Sequence, residues 1–390
     1  MSTVKVNAIR STSGSSDAIT LNSSSGVTAI NGNGLRAQNL VQNGAMNVAQ
    51  RGVTSTVSGY GSVDRWKCIH GGTDEAPTQA QHALTSSDTG PWAKGFRNSF
   101  HITNGNQTGG AGAADYIGAQ IRLEAQDIAY SGWDYTNTSS KITLSFWVKS
   151  SVAQNFYGFL KSLDGTQKLY PFETGSLTAD TWTKITKTIT GHADLQFDLN
   201  SEQGFQINIS AFWGTDYTAS GVTLNAWATY ASGTRTPDST STWYTTDNST
   251  FEITGVQLEV GPTASEYMHE SYAETLDKCQ RYYFKTFNQG TTPANGLEHN
   301  GEIQHLLNAN AAPGDPQENF YFPRPMNHAP DVTLYNPRPG GTAGQWGSNT
   351  SDSSNARAFG VTEMKTIIDN TDTNLSATYW RIAFTADAEL

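Results

Sequence analysis

The sequence predicts an all-β protein: an antiparallel jelly-roll β-sandwich, a smaller C-terminal β domain, one short helix between them, and a thin β segment in front. Three observations predict it. Ser, Thr, Asn and Gly are abundant, with 37 glycines and 13 prolines in 390 residues, a composition suited to strands and turns and poor for long helices. Short runs alternate apolar and polar residues with period two, bounded by Gly, Asn, Asp and Ser clusters. A single stretch combines a helix cap with a helical apolar stripe.

Residues 1–38 open the chain as a sparse segment in which Val4, Val6 and Ala8 alternate with Lys5 and Asn7, and Ile19 and Leu21 precede a turn-like Asn22 to Gly26. Strands this short do not fold alone, so the segment is expected to be completed by its own copies in an oligomer or by another protein, or else to be a frayed terminus. Residues 39–265 carry the sandwich strands. In Lys141 to Ser150, Ile142, Leu144, Phe146 and Val148 share one face; Phe205, Ile207, Ile209 and Ala211 repeat the pattern. In Phe251 to Gly261 the apolar phase shifts from Phe251 and Ile253 to Val256, Leu258 and Val260. A bulge at Gly255 is the way to make that shift without turning the later side chains to the wrong face.

Residues 266–288 form the connecting helix. Ser271 and Glu274 make a capping box, and Tyr272, Leu276, Cys279 and Tyr283 follow on one stripe expected to face a core. Residues 289–390 are broken by seven of the prolines, from Pro313 to Pro339, with strands expected at Asn319 to Phe322, Asp331 to Tyr335, Val361 to Ile368 and Ala377 to Phe384. Proline confines such strands to edges and ends.

Composition also excludes classes of function. With 24 Lys and Arg against 35 Asp and Glu, 24 − 35 gives a net charge of −11. Neither nucleic-acid phosphates nor an anionic membrane surface is expected as a partner, because both need a basic face. No apolar run reaches membrane-spanning length, and Met1 to Arg10 does not read as a secretory signal. The two cysteines, Cys68 and Cys279, are expected to be reduced, small apolar residues. Cys68 with His70 supplies two soft ligands where structural zinc needs four, and His299 with His305 matches no metal spacing. No metal and no cofactor are expected.

Sugar recognition by a β-sandwich needs aromatic rings that stack on a pyranose face, with polar groups beside them for the hydroxyls. Trp133 and Tyr135, the run Trp213, Asp216 and Tyr217, and Trp227, Tyr230, Trp243 and Tyr244 lie in or beside loop-like sequence and are the glycan-binding candidates. The alternative is that these rings close the sandwich ends or pack between subunits. Asp64, Arg65 and Trp66 read as framework, Trp66 pointing into the core. No catalytic fingerprint occurs. Paired carboxylates for glycoside hydrolysis are set in space and not in sequence, and Asp134, Asp216, Asp238 and Glu252 are the first to inspect. No 20-to-50-residue repeat of the kind that builds a β-helix depolymerase is present, so no enzyme activity is expected.

Four stretches together resemble a known family. Asn43-Gly44, Gln50-Arg51-Gly52 and Asp64-Arg65-Trp66 resemble the opening of bacteriophage fibre and receptor-binding proteins of the marine, cyanophage-like tail-fibre type. Gln120 to Glu124 with Thr143 to Val148 is similar to the strands that follow there. Val256 to Pro262, leading through Ser271-Tyr272 into Lys278 to Tyr283, resembles that family's most characteristic run, and Phe322 to Met326 with Ala329-Pro330 is similar to the start of its next domain. The resemblance covers roughly residues 39–390. It implies a carbohydrate-binding-module-like jelly roll and a small β domain, assembled as a homotrimer on a phage particle and made in the host cytoplasm. The implied function is a non-enzymatic adhesin for host cell-surface polysaccharide. Its rivals are a capsid-bound fibre or decoration protein and, third, a glycan depolymerase. Residues 1–38 depart from the attachment domain of podophage tail fibres, which leaves tail or capsid open. On this reading Val4, Val6, Ile9, Ile19 and Leu21 anchor the chain to other virion proteins.

Overall fold

Alternation with period two sends successive side chains to opposite faces of a sheet, and two such sheets bury their apolar faces together. The computed structural model describes residues 8–10, 17–22, 26–30, 33–34, 38–306, 317–348, 351–352, 356–370 and 379–390. At the front, β1 (Ala8–Arg10), β2 (Asp17–Asn22), β3 (Gly26–Ile30) and β4 (Asn33–Gly34) pair in sequence order as an antiparallel sheet. Val4 and Val6 lie outside the described residues; Ile9, Ile19 and Leu21 are described only as backbone positions in β1 and β2.

The sandwich follows. Its strands are β5 (Thr54–Ser55), β6 (Lys67–Gly71), β7 (Thr78–Ala83), β8 (Asn98–Thr103), β9 (Tyr116–Glu124), β10 (Lys141–Ser150), β11 (Asn155–Ser162), β12 (Lys168–Ser176), β13 (Thr183–Thr190), β14 (Gln203–Trp213), β15 (Ala228–Thr229) and β16 (Thr250–Val260). They form two six-stranded antiparallel sheets, ordered β13-β10-β16-β8-β7-β5 and β15-β12-β11-β14-β9-β6. Between them Ile142, Leu144, Phe146, Val148, Ile253 and Leu258 of the first sheet meet Ile117, Ile121, Leu160, Phe172, Ile207 and Ile209 of the second. The expected jelly-roll sandwich is therefore the fold of this region.

The bulge at Gly255 is present. Ser145 pairs with Gln257 but Trp147 with Thr254, so the register slips by one residue. Gly255 adopts φ +63, and a Cβ there would lie 2.6 Å from the Phe96 ring, so both backbone and space require glycine.

A five-residue helix that the sequence pattern does not announce, α1 (Ala125–Ala129), leaves the end of β9. The expected helix is α2 (Tyr272–Cys279), with both halves of the Ser271–Glu274 capping box formed. Cys279 is buried as expected, Tyr283 is buried in the strand that follows and not on the helix, and Tyr272 is 49% exposed. The helix is only eight residues long and its first turn projects beyond the core, so the stripe holds for its C-terminal half alone.

The C-terminal region contains β17 (Tyr283–Lys285), β18 (Ile303–Leu306), β19 (Gln317–Tyr321), β20 (Asp331–Tyr335), β21 (Ala356–Phe359), β22 (Lys365–Asn370) and β23 (Tyr379–Asp387). β23 is central, pairing with β17, β18 and β20, and β19-β22-β21 form a second sheet. The four expected strands appear as β19, β20, β22 and β23 with ends shifted by up to four residues, while β17, β18 and β21 are additional to them. Phe284, Phe322, Met326, Trp346, Trp380 and Phe384 fill the core.

The family-like motifs meet at the junction of the two regions. Gln50 binds the Asp64 carboxylate through its backbone N–H at 2.8 Å and its side chain at 2.5 Å, and reaches the Tyr283 carbonyl at 2.8 Å. Arg51 pairs with Asp387 at 2.9 Å and Glu389 at 3.3 Å. Arg65 pairs with Glu389, donates to the Arg122 carbonyl at 2.6 Å, and lies 3.3 Å over the Tyr282 ring. Arg281 and Tyr282 both bind Glu124, at 2.6 and 2.5 Å. Asp64 and Arg65 are thus buried framework, and Trp66 is core.

Candidate functional site

The outer face of the second sheet carries a cleft built from several strands. Alternate residues of adjacent strands rise from it: Lys67 and Ile69 from β6, Tyr116, Gln120 and Arg122 from β9, Gln206 from β14, and Phe159 and Lys161 from β11. Register fixes the rows, with Gln120 opposite both Lys67 and Asn208, and Asn208 opposite Phe159. A second bulge aims Trp213. In β14, Ser210 pairs with Gly118 but Phe212 with Ile117, so one residue is extra. Without it Phe212 would face outward; with it Phe212 joins the core and Trp213 comes to the outer face, the usual work of a bulge beside a site.

The chain then turns at Gly214, where a Cβ would collide with the Ala113 carbonyl oxygen, and the loop beyond it brings Tyr217, Tyr230 and Arg235 over the sheet. These groups enclose a cleft of about 300 Å³, at the small end of ligand-site volumes. Trp213 is its hub. It stacks on Tyr116 with centroids 5.0 Å apart, meets Tyr217 edge-on at 5.1 Å, and has the Arg235 guanidinium 4.6 Å above it. Its indole N–H donates to Ser210 Oγ, which donates to Asn208 Oδ1. Asn208 Nδ2 is left buried without a protein partner, as is Arg235 Nε. Lys161 sits 3.5 Å over the Tyr230 ring, and the Tyr230 hydroxyl accepts from Arg235 at 3.3 Å.

The electrostatics are one-sided. Lys67, Arg122, Lys161 and Arg235 line the cleft and no Asp or Glu does. Burial, with Arg235 and Arg122 close by, pushes the Lys161 ammonium down to about 8. Burial and then Arg122 push Lys67 down to about 7, against the opposing pull of Glu389.

The expected site residues divide. Trp213, Tyr217 and Tyr230 converge in this cleft, with Trp213 3% exposed as its hub and not as an open platform. Trp227 lines an adjacent apolar groove of about 590 Å³ with Leu169, Pro171 and Val222, its indole N–H donating to the Thr190 carbonyl at 2.7 Å. Asp216 is exposed and does not line the cleft. The remaining expectations are corrected. Trp243 and Tyr244 are 0% and 1% exposed in the sandwich core, Tyr244 stacked on Phe212 at 4.4 Å. Trp133 is buried, and half-buried Tyr135 packs edge-on against Phe197 at 4.9 Å. Their polar sequence neighbours belong to turns that cap a closed sandwich end, so these rings point inward.

Sequence reasoning missed Tyr116, Phe159 and the polar set. The available signal was the alternation in Gln120-Ile121-Arg122 and Gln206-Ile207-Asn208, which places polar side chains in a row on a face opposite the core.

Among the described residues, one group of three has metal-ligand chemistry: His82, His101 and Glu252, with ligand atoms within 4.8 Å of one another. It lies on the other sheet and is already compensated. Glu252 accepts from Ser99 at 2.6 Å, has Lys149 Nζ at 3.0 Å, and faces His82 Nδ1 at 3.2 Å and His101 Nδ1 at 3.4 Å. Burial alone would raise its pKa, but hydrogen bonds from His101, His82 and Ser99 hold it well below the carboxylate range. An ammonium on the same carboxylate competes with a cation there.

The chain matches no protein-family model, and no curated protein resembles it at a significant level. Among solved structures, a putative sugar-binding protein from Bacteroides thetaiotaomicron is 12% identical with a TM-score of 0.31, covering 57% of this chain and all (100%) of that one. The enzymatically active domain of a tailspike protein of bacteriophage CBA120 is 11% identical with a TM-score of 0.30 over 57% of this chain, which spans only 21% of that chain. The N-terminal cellulose-binding domain of a Cellulomonas fimi β-1,4-glucanase is 12% identical with a TM-score of 0.27, over 56% of this chain and 100% of that one. Likeness of this extent does not carry function, which rests on the cleft itself.

Proposed function

We propose that this protein binds a glycan in the Trp213 cleft. The observation that carries the reading is the convergence, on one sheet face, of half-buried Tyr116, Tyr217 and Tyr230 with Gln120, Gln206 and Arg235: ring faces for a pyranose beside amide and guanidinium groups for its hydroxyls. The aromatic hub fixes the rings before any ligand arrives, which lowers the ordering cost of binding. The test is binding of the full chain to a glycan array. Tyr217→Ala and Tyr230→Ala, at half-exposed positions, are expected to abolish it with little change in melting temperature. Unchanged binding in both variants refutes the cleft as the site.

The finer reading is a non-enzymatic adhesin on a phage particle, displayed as a homotrimer and anchored through residues 1–38. It is supported by the ordered run of fibre-like motifs from Asn43 to Pro330. The thin β1 to β4 sheet, too slight to stand alone, supports an anchoring or oligomerising role, and several weak sugar sites on one trimer gain affinity together. The cleft lining, which holds no Asp or Glu, supports the non-enzymatic role, because glycoside hydrolysis ordinarily uses a pair of carboxylates flanking the bond. Mass determination with host-cell binding tests this reading. A trimer that binds fibre-free particles and no cell would make the protein a structural virion component.

A further inference from the structure

A chain with net charge −11 gathers four basic side chains in this one cleft, and that inversion needs a reason. Lys and Arg are 24 of 390 residues, so a dozen residues taken at random would hold fewer than one. Here Lys67, Arg122, Lys161 and Arg235 come from four separate stretches of chain and no carboxylate comes with them. Seven cations elsewhere are neutralised locally, Arg51, Arg65, Lys149, Lys168, Arg281, Arg338 and Arg381 each having a carboxylate within 4 Å, and the buried Lys285 is held by three backbone carbonyls. Among the described residues these four cleft cations have no such carboxylate. Like charges held together in a partly buried space repel one another, so the arrangement is unfavourable until a counter-charge arrives. Arg235 is also poised for one: its Cζ lies 4.6 and 4.7 Å from the Trp213 and Tyr217 ring centroids, while its buried Nε lacks an acceptor. A guanidinium held among aromatic rings with an N–H left unpartnered is suited to a carboxylate or sulfate oxygen.

We infer that the glycan recognised here is acidic, a sugar bearing a carboxylate or sulfate that Lys161 and Arg235 engage directly and Lys67 and Arg122 attract. The inference rests on the glycan reading above and names its substrate class. Carboxylate and sulfate share the chemistry that the cleft reads, and the assay separates them.

Proton linkage adds an independent signature. Lys67 and Lys161, with pKa about 7 and about 8, are partly neutral at pH 8, and a bound anion raises both, so binding takes up about one proton in all. The other charged and titratable groups of the cleft are Arg122, Arg235 and the hydroxyls of Tyr116, Tyr217 and Tyr230, with Glu389 and Arg65 acting on Lys67 from behind.

The experiment is calorimetric titration of the full-length protein at pH 8 with three oligosaccharides of matched length: a polyuronate, a sulfated galactan and a neutral xylo-oligosaccharide. Buffers of different ionisation enthalpy are used, with inorganic sulfate as a control. Expected are binding of at least one acidic oligomer with proton uptake, about tenfold weakening by Lys161→Gln and by Arg235→Gln, and steep weakening in 1 M salt. Preference for the polyuronate or for the sulfated oligomer tells which acid is read, and either supports the inference. Equal binding of the neutral oligomer, unaffected by Lys161→Gln but lost in Tyr217→Ala, overturns acidity and leaves the glycan site standing. Inorganic sulfate bound as tightly as the oligomers overturns the inference in favour of a simple anion site. No binding of any oligomer, with none on the glycan array, removes the glycan reading itself.

Discussion

Replacing the Glu389 carboxylate by a glutamine amide tests whether the fibre-like motifs act as one lock between the sandwich and the C-terminal sheets. The Arg65 and Glu389 side chains are 0% and 3% exposed, so their charges depend on each other. Removing one partner of such a pair leaves a buried charge and typically costs 3–5 kcal/mol. Arg65 keeps the Arg122 carbonyl at 2.6 Å and the Tyr282 ring at 3.3 Å, the introduced amide still presents an acceptor oxygen, and Arg51 keeps Asp387 at 2.9 Å. The low end, about 3 kcal/mol, is therefore expected, which at roughly 2 °C or more per kcal/mol lowers the melting temperature by about 6 °C. The second arm is Arg65→Met with Glu389→Gln. It removes both charges, and an apolar replacement for a buried pair is often neutral, so the double variant is expected to melt above the Glu389→Gln single. Differential scanning fluorimetry reads both, and limited proteolysis at residues 286–300 reports whether the C-terminal sheets loosen first. A shift under about 2 °C for Glu389→Gln, or strict additivity in the double variant, refutes the coupling.

Gly255→Ala is expected to cost about 2–4 kcal/mol, the sum of a left-handed backbone and a methyl forced against the Phe96 ring, measured by chemical denaturation; under 1 kcal/mol means that the bulge relaxes. Trp243→Ala is expected to cost about 3–5 kcal/mol as a core deletion, and the surviving folded fraction should bind glycan as wild type does; lost binding without lost stability would return Trp243 to the site. His82 is raised by its hydrogen bond to Glu252, against the lesser effect of burial. Its contribution to stability is therefore full below about pH 6.5 and is lost as pH rises through the folded value. His82→Gln should remove that step from a plot of melting temperature against pH, and an unchanged plot refutes the assignment.

What was legible in the sequence was what a single stretch of chain decides. The strand over residues 141–150 shows its own period, the Gly255 bulge shows as a phase shift within eleven residues, and the Ser271 cap needs only Glu274 three residues on. The second bulge was hidden because Ser210-Ala211-Phe212-Trp213 offers small and apolar residues on both phases, so nothing in it says which aromatic turns outward. Trp243 and Tyr244 were misplaced for a related reason. A Ser- and Thr-rich neighbourhood reads as loop, and a loop that closes a sandwich end buries its rings while its backbone faces water. Asp64, Arg65, Arg281 and Tyr282 are far apart in sequence, and their common junction exists only once both regions are folded.

The cleft was the least legible part because its charges come from four strands and loops, each contributing one ordinary Lys or Arg. Net charge averages over the whole surface, whereas a bound ligand samples the field within about a Debye length, roughly 8 Å at physiological salt. The value of −11 therefore argues against an extended polyphosphate lying across a face, which needs many cations in a row and gains by counterion release. It does not argue against one acidic residue of a sugar chain entering a cleft of about 300 Å³ that holds four cations. The net negative charge of the chain has a consequence of its own: it opposes polyanions that approach broadside and tolerates a ligand that presents a single charge end-on. Overall negative charge and a local basic cleft together favour sparsely charged acidic glycans over densely charged polymers. A series of oligosaccharides of equal length and rising charge density tests this directly, with affinity expected to pass through a maximum; a monotonic rise would show that the global field plays no part in selection.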